Sequence, residues 1–367
     1  MSRVRPSGHG LALAHAVVMQ PERRALVTGS TGFIGSAVIR ALLSDGWQVT
    51  ALVEPGADTA GLETFEVERV EGDVRSAADV RRAISGCTSV FHVAALYRFW
   101  VRDPRLFYEV NVDGTRQVLT AARASGVRRV VYTSTVGTIG LAAVSGGQPA
   151  TETDYPDLRH LFGSYKRSKY VAEHEVLRAS AEGLPVSLVQ PTMPFGPGDR
   201  APTPSGRLVV DFLNGRMPGY VDTLLNVVHV DDVARGHLLA HDRGAAGRSY
   251  ILGGENLSLQ QILAELASIT GLPTPRFRVP HAVALAVATI SDTVEGRLLR
   301  RPPHVPLEAA RMSTTLMAFD DSRARSELGY APRPAHAALR DSVRWFVDAG
   351  YVTNRRRLAG IRRSDSS

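Results

Sequence analysis

The chain has 367 residues, of which 44% are hydrophobic and 22% charged, and its formal net charge is +7 at pH 7. This composition is ordinary for a globular protein and argues against a disordered or fibrous one. The basic excess lies at the two ends: residues 1–24 carry +3 and residues 355–367 carry +4, which leaves residues 25–354 formally neutral. Nucleic-acid binding needs a clustered basic face on the fold, so we predict no nucleic-acid partner.

Cysteine content and apolar runs indicate the compartment. The single cysteine, Cys87, cannot form an intrachain disulfide and fits a reducing environment. The longest charge-free apolar run in the C-terminal half, 282–290, is about half as long as a membrane span. The apolar stretch near the N-terminus is too short for a secretory signal. We therefore predict a cytoplasmic protein with a disordered extension over residues 1–22 and no metal site.

Strand and helix patterns alternate through the first half of the chain. Apolar spacing predicts strands over 25–28, 47–53, 67–71, 89–93 and 128–134, and helices over 33–44, 77–85 and 105–124. Such alternation is typical of an α/β fold with a doubly wound parallel sheet, because right-handed crossovers place helices on both faces. We predict a Rossmann dinucleotide-binding domain over residues 23–190.

The pattern changes after Pro191. Prolines and glycines become frequent between 191 and 206, and shorter helices are predicted over 231–241, 258–270, 281–300 and 335–349. We interpret residues 191–350 as mainly a smaller, mixed substrate-binding lobe that returns some segments to the sheet. Residues 351–367 would form a flexible basic tail.

A glycine-rich loop joins the first strand to the first helix. Its three glycines, Gly29, Gly32 and Gly35, are spaced three residues apart. This spacing allows a tight turn, a close approach of the backbone to a pyrophosphate, and a helix whose N-terminal N–H groups face the phosphate charge. We predict that the glycines bind a dinucleotide together with their neighbours Thr31, Phe33 and Ile34.

The second predicted strand ends at a carboxylate, Glu54. A carboxylate at this position accepts hydrogen bonds from ribose hydroxyls and repels a 2′-phosphate. We therefore predict NAD as the cofactor, with NADP as the alternative.

A tyrosine and a lysine that could act together in catalysis follow the predicted strand over 128–134. Tyr165 and Lys169 are four residues apart and so share one face of a helix. An ammonium group near a phenol stabilises the phenolate, so we expect the pKa of Tyr165 to fall toward working pH. The phenol could then exchange a proton with a carbonyl or alcohol while hydride moves to or from the nicotinamide, with Lys169 also holding the cofactor ribose.

A run of hydroxyl side chains ends the strand before this pair. The stretch resembles the extended short-chain dehydrogenases, which place a Ser or Thr five residues before a glycine; with Gly140 as that glycine, the resemblance implies that Thr135 is the third catalytic group and binds the reacting oxygen, and Ser134 is the alternative. The next residues, Val136 and Gly137, are not the Asp-Glu pair with which the dehydratases of this family remove water. This argues against sugar 4,6-dehydration.

Together these motifs resemble the extended short-chain dehydrogenases/reductases. The segments that carry the resemblance are the glycine loop, Gly72-Asp73-Val74, His92-Val93-Ala94-Ala95, Asn111-Val112-Asp113-Gly114-Thr115, the Tyr165/Lys169 pair and Pro191–Asp199. The resemblance implies cofactor contacts from residues that include Asp73, Val74, Ala94, Ala95, Asn111, Tyr165, Lys169, Pro191 and Thr192. It also implies that Asn111 organises the active site.

A narrower resemblance covers residues 23–350. The segments 97–100, 165–173, 211–218, 250–256 and 327–330 are similar to the bacterial hopanoid-associated sugar epimerases, themselves similar to dihydroflavonol reductases. This implies an NAD(P)-dependent reductase or epimerase acting on a secondary alcohol or ketone of a sugar or hopanoid-linked substrate. Candidate substrate contacts are Tyr97, Arg98, Trp100, Ser134 and Thr192.

Two alternatives remain at this point: a sterol or terpenoid dehydrogenase of the 3β-hydroxysteroid type, and a non-catalytic dinucleotide-binding sensor. Sensors on this fold typically lack the Tyr/Lys pair. A homodimer is compatible with this family resemblance. We also predict weak contact of the basic tail with an anionic membrane surface.

Overall fold

The computed structural model describes residues 23–141, 146–156 and 161–364. The predicted N-terminal extension, residues 1–22, lies outside them. A seven-stranded, entirely parallel sheet forms the centre of the molecule, in the order β10-β6-β5-β4-β1-β2-β3. Its strands are β1 (Arg24–Thr28), β2 (Gln48–Val53), β3 (Glu68–Glu71), β4 (Ser89–His92), β5 (Arg129–Thr133), β6 (Val186–Pro191) and β10 (Ser249–Leu252).

The order of the first six strands is that of a dinucleotide-binding Rossmann fold, which confirms the predicted fold class. Apart from the edge strand β3, the strands are largely apolar on both faces because helices cover both sides of the sheet. The helices of this half are α1 (Phe33–Ser44), α2 (Ala77–Ala83), α3 (Arg105–Tyr108), α4 (Gly114–Ala124), α5 (Ser164–Ala181) and α7 (Val230–Arg243). Helices α1 and α7 pack on one face, and α2, α4 and α5 pack on the other.

The predicted long helix over 105–124 has a local irregularity. Helices α3 and α4 are joined without a break by a π-helical turn, Glu109–Asp113, which contains Asn111. Turns of this kind are frequent at functional sites. The irregularity therefore falls on a residue that the sequence singles out.

The C-terminal part forms a smaller lobe around two short sheets. Strands β7 (Met193–Phe195), β9 (Leu224–His229) and β11 (Glu255–Ser258) form a mixed sheet, and β8 (Gly219–Tyr220) pairs with β12 (Phe277–Arg278). The helices are α6 (Pro204–Asn214), α8 (Leu259–Thr270), α9 (His281–Ser291), α10 (Leu307–Ser313), α11 (Ala335–Asp348) and α12 (Arg355–Ser364). Strand β10 returns from this part of the chain to the main sheet, where it pairs with β6.

The expectation of a flexible C-terminal tail is wrong for residues 355–364, which form helix α12. Ile361 is buried in the apolar core of the C-terminal lobe. The Arg357 guanidinium donates hydrogen bonds to the Phe212 and Leu213 carbonyls at the end of α6. Burial of Ile361 and the hydrogen bonds of Arg357 therefore hold α12 on the C-terminal lobe, although the charge of this segment alone suggested a free tail.

Within the described ranges, no helix has both the length and the apolar character needed to cross a bilayer.

Candidate active site

The glycine loop has the geometry of a dinucleotide site. Gly29 adopts φ +66°, and a Cβ on it would lie 2.7 Å from the Cα of Ala94. A Cβ on Gly35 would lie 2.0 Å from the Gly29 carbonyl oxygen. Neither position can hold a side chain unless the backbone moves, because real Cβ contacts are longer than these. The loop therefore packs directly between α1 and the end of β4.

The N-terminus of α1 is free to receive an anion. Gly32 caps the helix without a side-chain hydrogen bond, and the first turn contains no acidic residue. The first N–H groups of a helix have no partner within the helix, and the helix dipole favours negative charge at this end. The residues present therefore fit a pyrophosphate. Thr31, Phe33 and Ile34 are only partly buried and flank this end.

The predicted adenosine contacts lie on the neighbouring loops. Glu54 directly follows β2 and is exposed. The Asp73 carboxylate pairs with Arg75 at 2.6 Å, and hydrogen bonding to Arg75 holds the pKa of Asp73 below its usual range. Val74 packs closely on Gly114 of α4, where a Cβ would lie 2.9 Å from it. Asp73 is thus oriented by its own loop.

A buried polar chain connects Thr28, His92, Thr115, Tyr132 and Lys169. Thr28 Oγ1 is 2.7 Å from His92 Nδ1, and His92 Nε2 is 3.0 Å from Thr115 Oγ1. Thr115 also hydrogen-bonds Tyr132, whose hydroxyl accepts from Lys169 Nζ at 2.8 Å. Burial lowers the pKa of His92 to about 3, so its ring is neutral. The Thr115 hydroxyl donates to the Asn111 carbonyl, so Nε2 of His92 carries the proton.

Asn111 holds the loop after β4 against helix α5. Its side-chain oxygen accepts from the Leu96 N–H at 2.7 Å, and its nitrogen donates to Ser168 Oγ at 2.9 Å. Ser168 in turn donates to the Tyr165 carbonyl. The Asn111 side chain is fully engaged within the protein, so the structure gives it a positioning role for the turn that carries Tyr165.

The two candidate hydroxyls at the end of β5 point in different directions. Ser134 donates to Glu173 Oε2 at 2.5 Å in the interior. Thr135 lies near Tyr165, whose pKa it lowers through hydrogen bonding, and its hydroxyl accepts from the Gly137 N–H. The structure therefore brings Thr135, and not Ser134, together with the tyrosine.

Lys169 is buried and bound to the protein. Its ammonium donates to the Tyr132 hydroxyl and to the Thr133 carbonyl, at 2.8 and 2.7 Å. Burial lowers the pKa of Lys169 to about 7, although Glu173 acts in the opposite direction.

The expected fall in the pKa of Tyr165 does not occur in the protein alone. Burial raises it well above its usual value, Tyr97 and Glu308 raise it further, and the hydrogen bond with Thr135 only partly compensates. The physical reason is that desolvation of the phenol is the largest effect, and the Lys169 ammonium donates to Tyr132 and to the Thr133 carbonyl instead of stabilising the Tyr165 phenolate.

Sequence reasoning missed one acidic residue in this site, Glu308 on helix α10. Its Oε1 atom is buried and has no hydrogen-bond partner among the described residues. Burial raises the pKa of Glu308 to about 7, while the nearby Lys166 lowers it. Gly163, just before α5, adopts φ +83°, which favours glycine, and a Cβ there would lie 2.2 Å from the Glu308 carboxyl, which would have to move. No sequence signal pointed to Glu308, since its short helix was not predicted.

Tyr97 packs against the candidate tyrosine. Its ring centroid is 4.8 Å from that of Tyr165. The residue exposes 45% of its surface, and desolvation of its phenol still raises its pKa above the ordinary value.

The remaining predicted contacts surround this centre. Trp100 lies against Gly296, where a Cβ would be 3.2 Å from the indole nitrogen, whereas Arg98 is exposed. Pro191 ends β6 and is buried, and Thr192 Oγ1 is 3.4 Å from the Leu252 carbonyl. Ala94 and Ala95 follow β4 beside the glycine loop.

Comparison with known proteins identifies the family. Residues 25–253 match the NAD dependent epimerase/dehydratase family. The chain belongs to this family. It is therefore an NAD(P)-dependent oxidoreductase or epimerase of the extended short-chain dehydrogenase type, in a family that is NAD dependent.

Three relatives cover nearly the whole chain. A Synechocystis sp. protein provisionally named dihydroflavonol 4-reductase is 43% identical over 89% of this chain and 95% of its own length. Sterol demethylase protein B of Methylococcus capsulatus is 36% identical, over 89% and 99%. The crystal structure of gox2253 superimposes with a TM-score of 0.80 at 41% identity, and covers 90% of this chain and 100% of that one.

Proposed function

We propose that this enzyme interconverts a secondary alcohol and a ketone by hydride exchange with NAD, and that Tyr165 exchanges the proton. The observation that carries the proposal is the meeting of Tyr165 and Thr135 at the carboxyl edge of the sheet, beside the glycine loop. Ligands of doubly wound folds bind at this edge.

Each residue then has a separate task. The Thr135 hydroxyl hydrogen-bonds the reacting oxygen and orients it toward Tyr165. In the reductive direction the phenol donates its proton to the carbonyl oxygen, and in the oxidative direction it accepts the hydroxyl proton. When bound, NAD supplies the acceptor or donor of hydride.

The high pKa of the Tyr165 phenol bears on the direction of reaction. A raised pKa keeps the phenol protonated, as the proton donor of a ketone reduction must be, but it also makes the phenol a weak acid, so reduction needs this pKa to fall toward working pH. Oxidation needs the phenolate, which a positive charge must stabilise. Lys169 can supply that charge only when its amine is protonated, and its pKa of about 7 makes this dependent on pH.

The walls of the site favour a substrate in which the reacting group is carried on an apolar ring skeleton. Tyr97 and Trp100 offer aromatic surface, and Glu308 offers one carboxyl group to a substrate hydroxyl beside the reacting carbon. Two of the relatives above are named for ring-bearing substrates, one for a dihydroflavonol and the other for a sterol. These features support a reductase or 3β-hydroxysteroid-type dehydrogenase over a nucleotide-sugar epimerase.

The test is a comparison of substrates with purified full-length protein. We expect NADH to accumulate when NAD is supplied with ring-borne secondary alcohols such as a 3β-hydroxysteroid, and the matching ketone to consume NADH. Tyr165→Phe should lose this activity, whereas Tyr170→Phe on the same helix should keep it.

A UDP-sugar serves as the opposing substrate. Turnover of the UDP-sugar to its epimer without net NADH, together with no activity on any ring-borne alcohol or ketone, would contradict the proposal. Retained activity in Tyr165→Phe would remove the tyrosine from the mechanism.

A further inference from the structure

The outer side of α9 and of the π-helical turn that continues it, Asp292–Leu298, is apolar and exposed. The side chains on this side are spaced by three or four residues, so they form one continuous stripe. They are between 44% and 77% exposed, and they are Val283, Val287, Ile290, Val294 and Leu298. Leu299 extends the stripe. We call these six residues the α9 face.

The opposite side of the same helix holds it on the protein. Ala288 and Glu295 are buried there, and Gly296 packs on Trp100. Residues 282–291 contain no charged side chain. A surface helix usually places its apolar side inward and its charges outward, and this helix places large apolar side chains outward. Such a patch marks a site of interaction.

The charges at the C-terminal end of the α9 face indicate what covers it. Arg297, Arg300 and Arg301 are exposed, whereas Glu295 is buried and Asp292 is partly buried. Arg297 pairs with Asp292 at 3.5 Å and Arg301 with Glu295 at 2.9 Å, so the carboxylates lie on the protein side of these arginines and the exposed guanidinium groups border the apolar stripe. Apolar residues beside outward arginines are the pattern of a helix that lies in the interface of an anionic bilayer.

We infer that the α9 face docks onto the surface of an anionic lipid bilayer. The apolar side chains would enter the boundary between headgroups and acyl chains, and the long arginine side chains would reach the phosphates. The helix lies on the surface and does not span it.

The position of the face relates it to the active site. Trp100, on the loop that follows β4, contacts the inner side of the same segment at Gly296. Helix α10, which carries Glu308, lies in the connection that follows. Docking at the α9 face would therefore bring lipid next to the loop and helix that form the site's outer wall. This inference does not rest on the proposed reaction.

Helix α12 is the other basic candidate, and it lacks this combination. Its apolar anchor Ile361 points into the lobe core, and Arg357 is bound to α6. Arg355 and Arg356 are exposed without an accompanying exposed apolar stripe among the described residues. Charge alone gives weak, salt-screened attraction.

The experiment is co-sedimentation of the full-length protein with vesicles of phosphatidylcholine alone or mixed with phosphatidylglycerol. We expect the wild type to sediment with the mixed vesicles at low salt. The double variant Val287→Glu/Ile290→Glu should lower the bound fraction at least tenfold. Gln260→Glu/Ala264→Glu on α8 introduces the same charge at exposed positions and should bind like the wild type.

Several outcomes would overturn the inference. One is a wild type that stays in the supernatant with both kinds of vesicle. Another is a loss of binding in Arg355→Ser/Arg356→Ser but not in Val287→Glu/Ile290→Glu, which would assign the contact to α12. The third is a wild-type dimer, measured by light scattering, that Val287→Glu/Ile290→Glu converts to a monomer without lipid binding; a second copy would then cover the face. Circular dichroism confirms that each variant is folded.

Discussion

The two sides of the active site are built differently. On the sheet side, the polar chain from Thr28 to Lys169 is buried, and each of its groups has a hydrogen-bond partner. On the side formed by the C-terminal lobe, the Glu308 carboxyl has a buried oxygen without a partner in the described residues, and α9 exposes its apolar side. A saturated network is rigid and fixes the chemistry, whereas unsatisfied groups remain available to recognise a substrate or surface.

Two lysines on one helix allow a direct test of this difference. Lys169 belongs to the sheet side, and Lys166 faces Glu308. We expect Lys169→Met to lower kcat at least 100-fold, because groups that support acid–base catalysis contribute about 10²–10⁴-fold. Lys166→Met should mainly raise KM. Steady-state kinetics of both variants on one verified substrate would measure this, and equal effects on kcat would refute the distinction.

The free energy of unfolding should depend on pH with opposite signs for a group on each side of the site: His92 on the sheet side and Glu308 on the side of the C-terminal lobe. The pKa of His92 is lowered to about 3 from an ordinary value of 6.5. The unfolded chain therefore takes up a proton below pH 6.5 that the folded protein does not, and stability is lost as the pH falls from 6.5 toward 3. Thermal melts over this range should show His92→Gln with a shallower acid dependence than the wild type.

Glu308 acts in the other direction. Its pKa is raised to about 7 from 4.5, so the folded protein holds a proton that the unfolded chain releases. The contribution of Glu308 to the stability of the fold is fully present below pH 4.5 and is lost as the pH rises through 7. Glu308→Gln should therefore gain stability relative to the wild type between pH 4.5 and 7, by at most about 3 kcal/mol at about 1.4 kcal/mol per pKa unit. Parallel curves for the two proteins would show that Glu308 is solvated and ionised throughout.

The cofactor loop belongs to the sheet side and should tolerate little change. A Cβ on Gly35 would lie 2.0 Å from the Gly29 oxygen, so Gly35→Ala must displace the loop. We expect NAD binding at least tenfold weaker by calorimetry, since overpacking costs about 1–3 kcal/mol. Gly46→Asn is the control, because no atom lies within 4 Å of a Cβ there. Unchanged affinity in Gly35→Ala would mean that the loop can relax without loss of the site.

The same contrast explains what the sequence could predict. The sheet side depends on local patterns: glycines at fixed spacing, alternating strands and helices, and a Tyr/Lys pair four apart, all of which predicted the observed fold. Glu308 and the packing of Ile361 depend on where separate segments meet in space. Helices α6 and α10 begin after prolines in a loop-rich region and were not predicted. The pKa of Tyr165 was wrongly expected to fall, because desolvation is a property of the whole site.

The smallest expected effect concerns Glu54, which is exposed directly after β2 on the sheet side. If its carboxylate binds the ribose hydroxyls, the wild type should prefer NAD. Glu54→Arg should then raise the ratio of kcat/KM for NADP over that for NAD by roughly tenfold. The reason is that one charge-assisted contact to a 2′-phosphate is worth about 1.5–3 kcal/mol before desolvation. Glu63→Arg makes the same charge change at another exposed position of the β2–β3 connection and should leave the ratio unchanged. This control matters because added positive charge attracts NADP by itself. Equal shifts in the two variants would reveal general electrostatics, and a wild type that already prefers NADP would place the ribose contact at another residue.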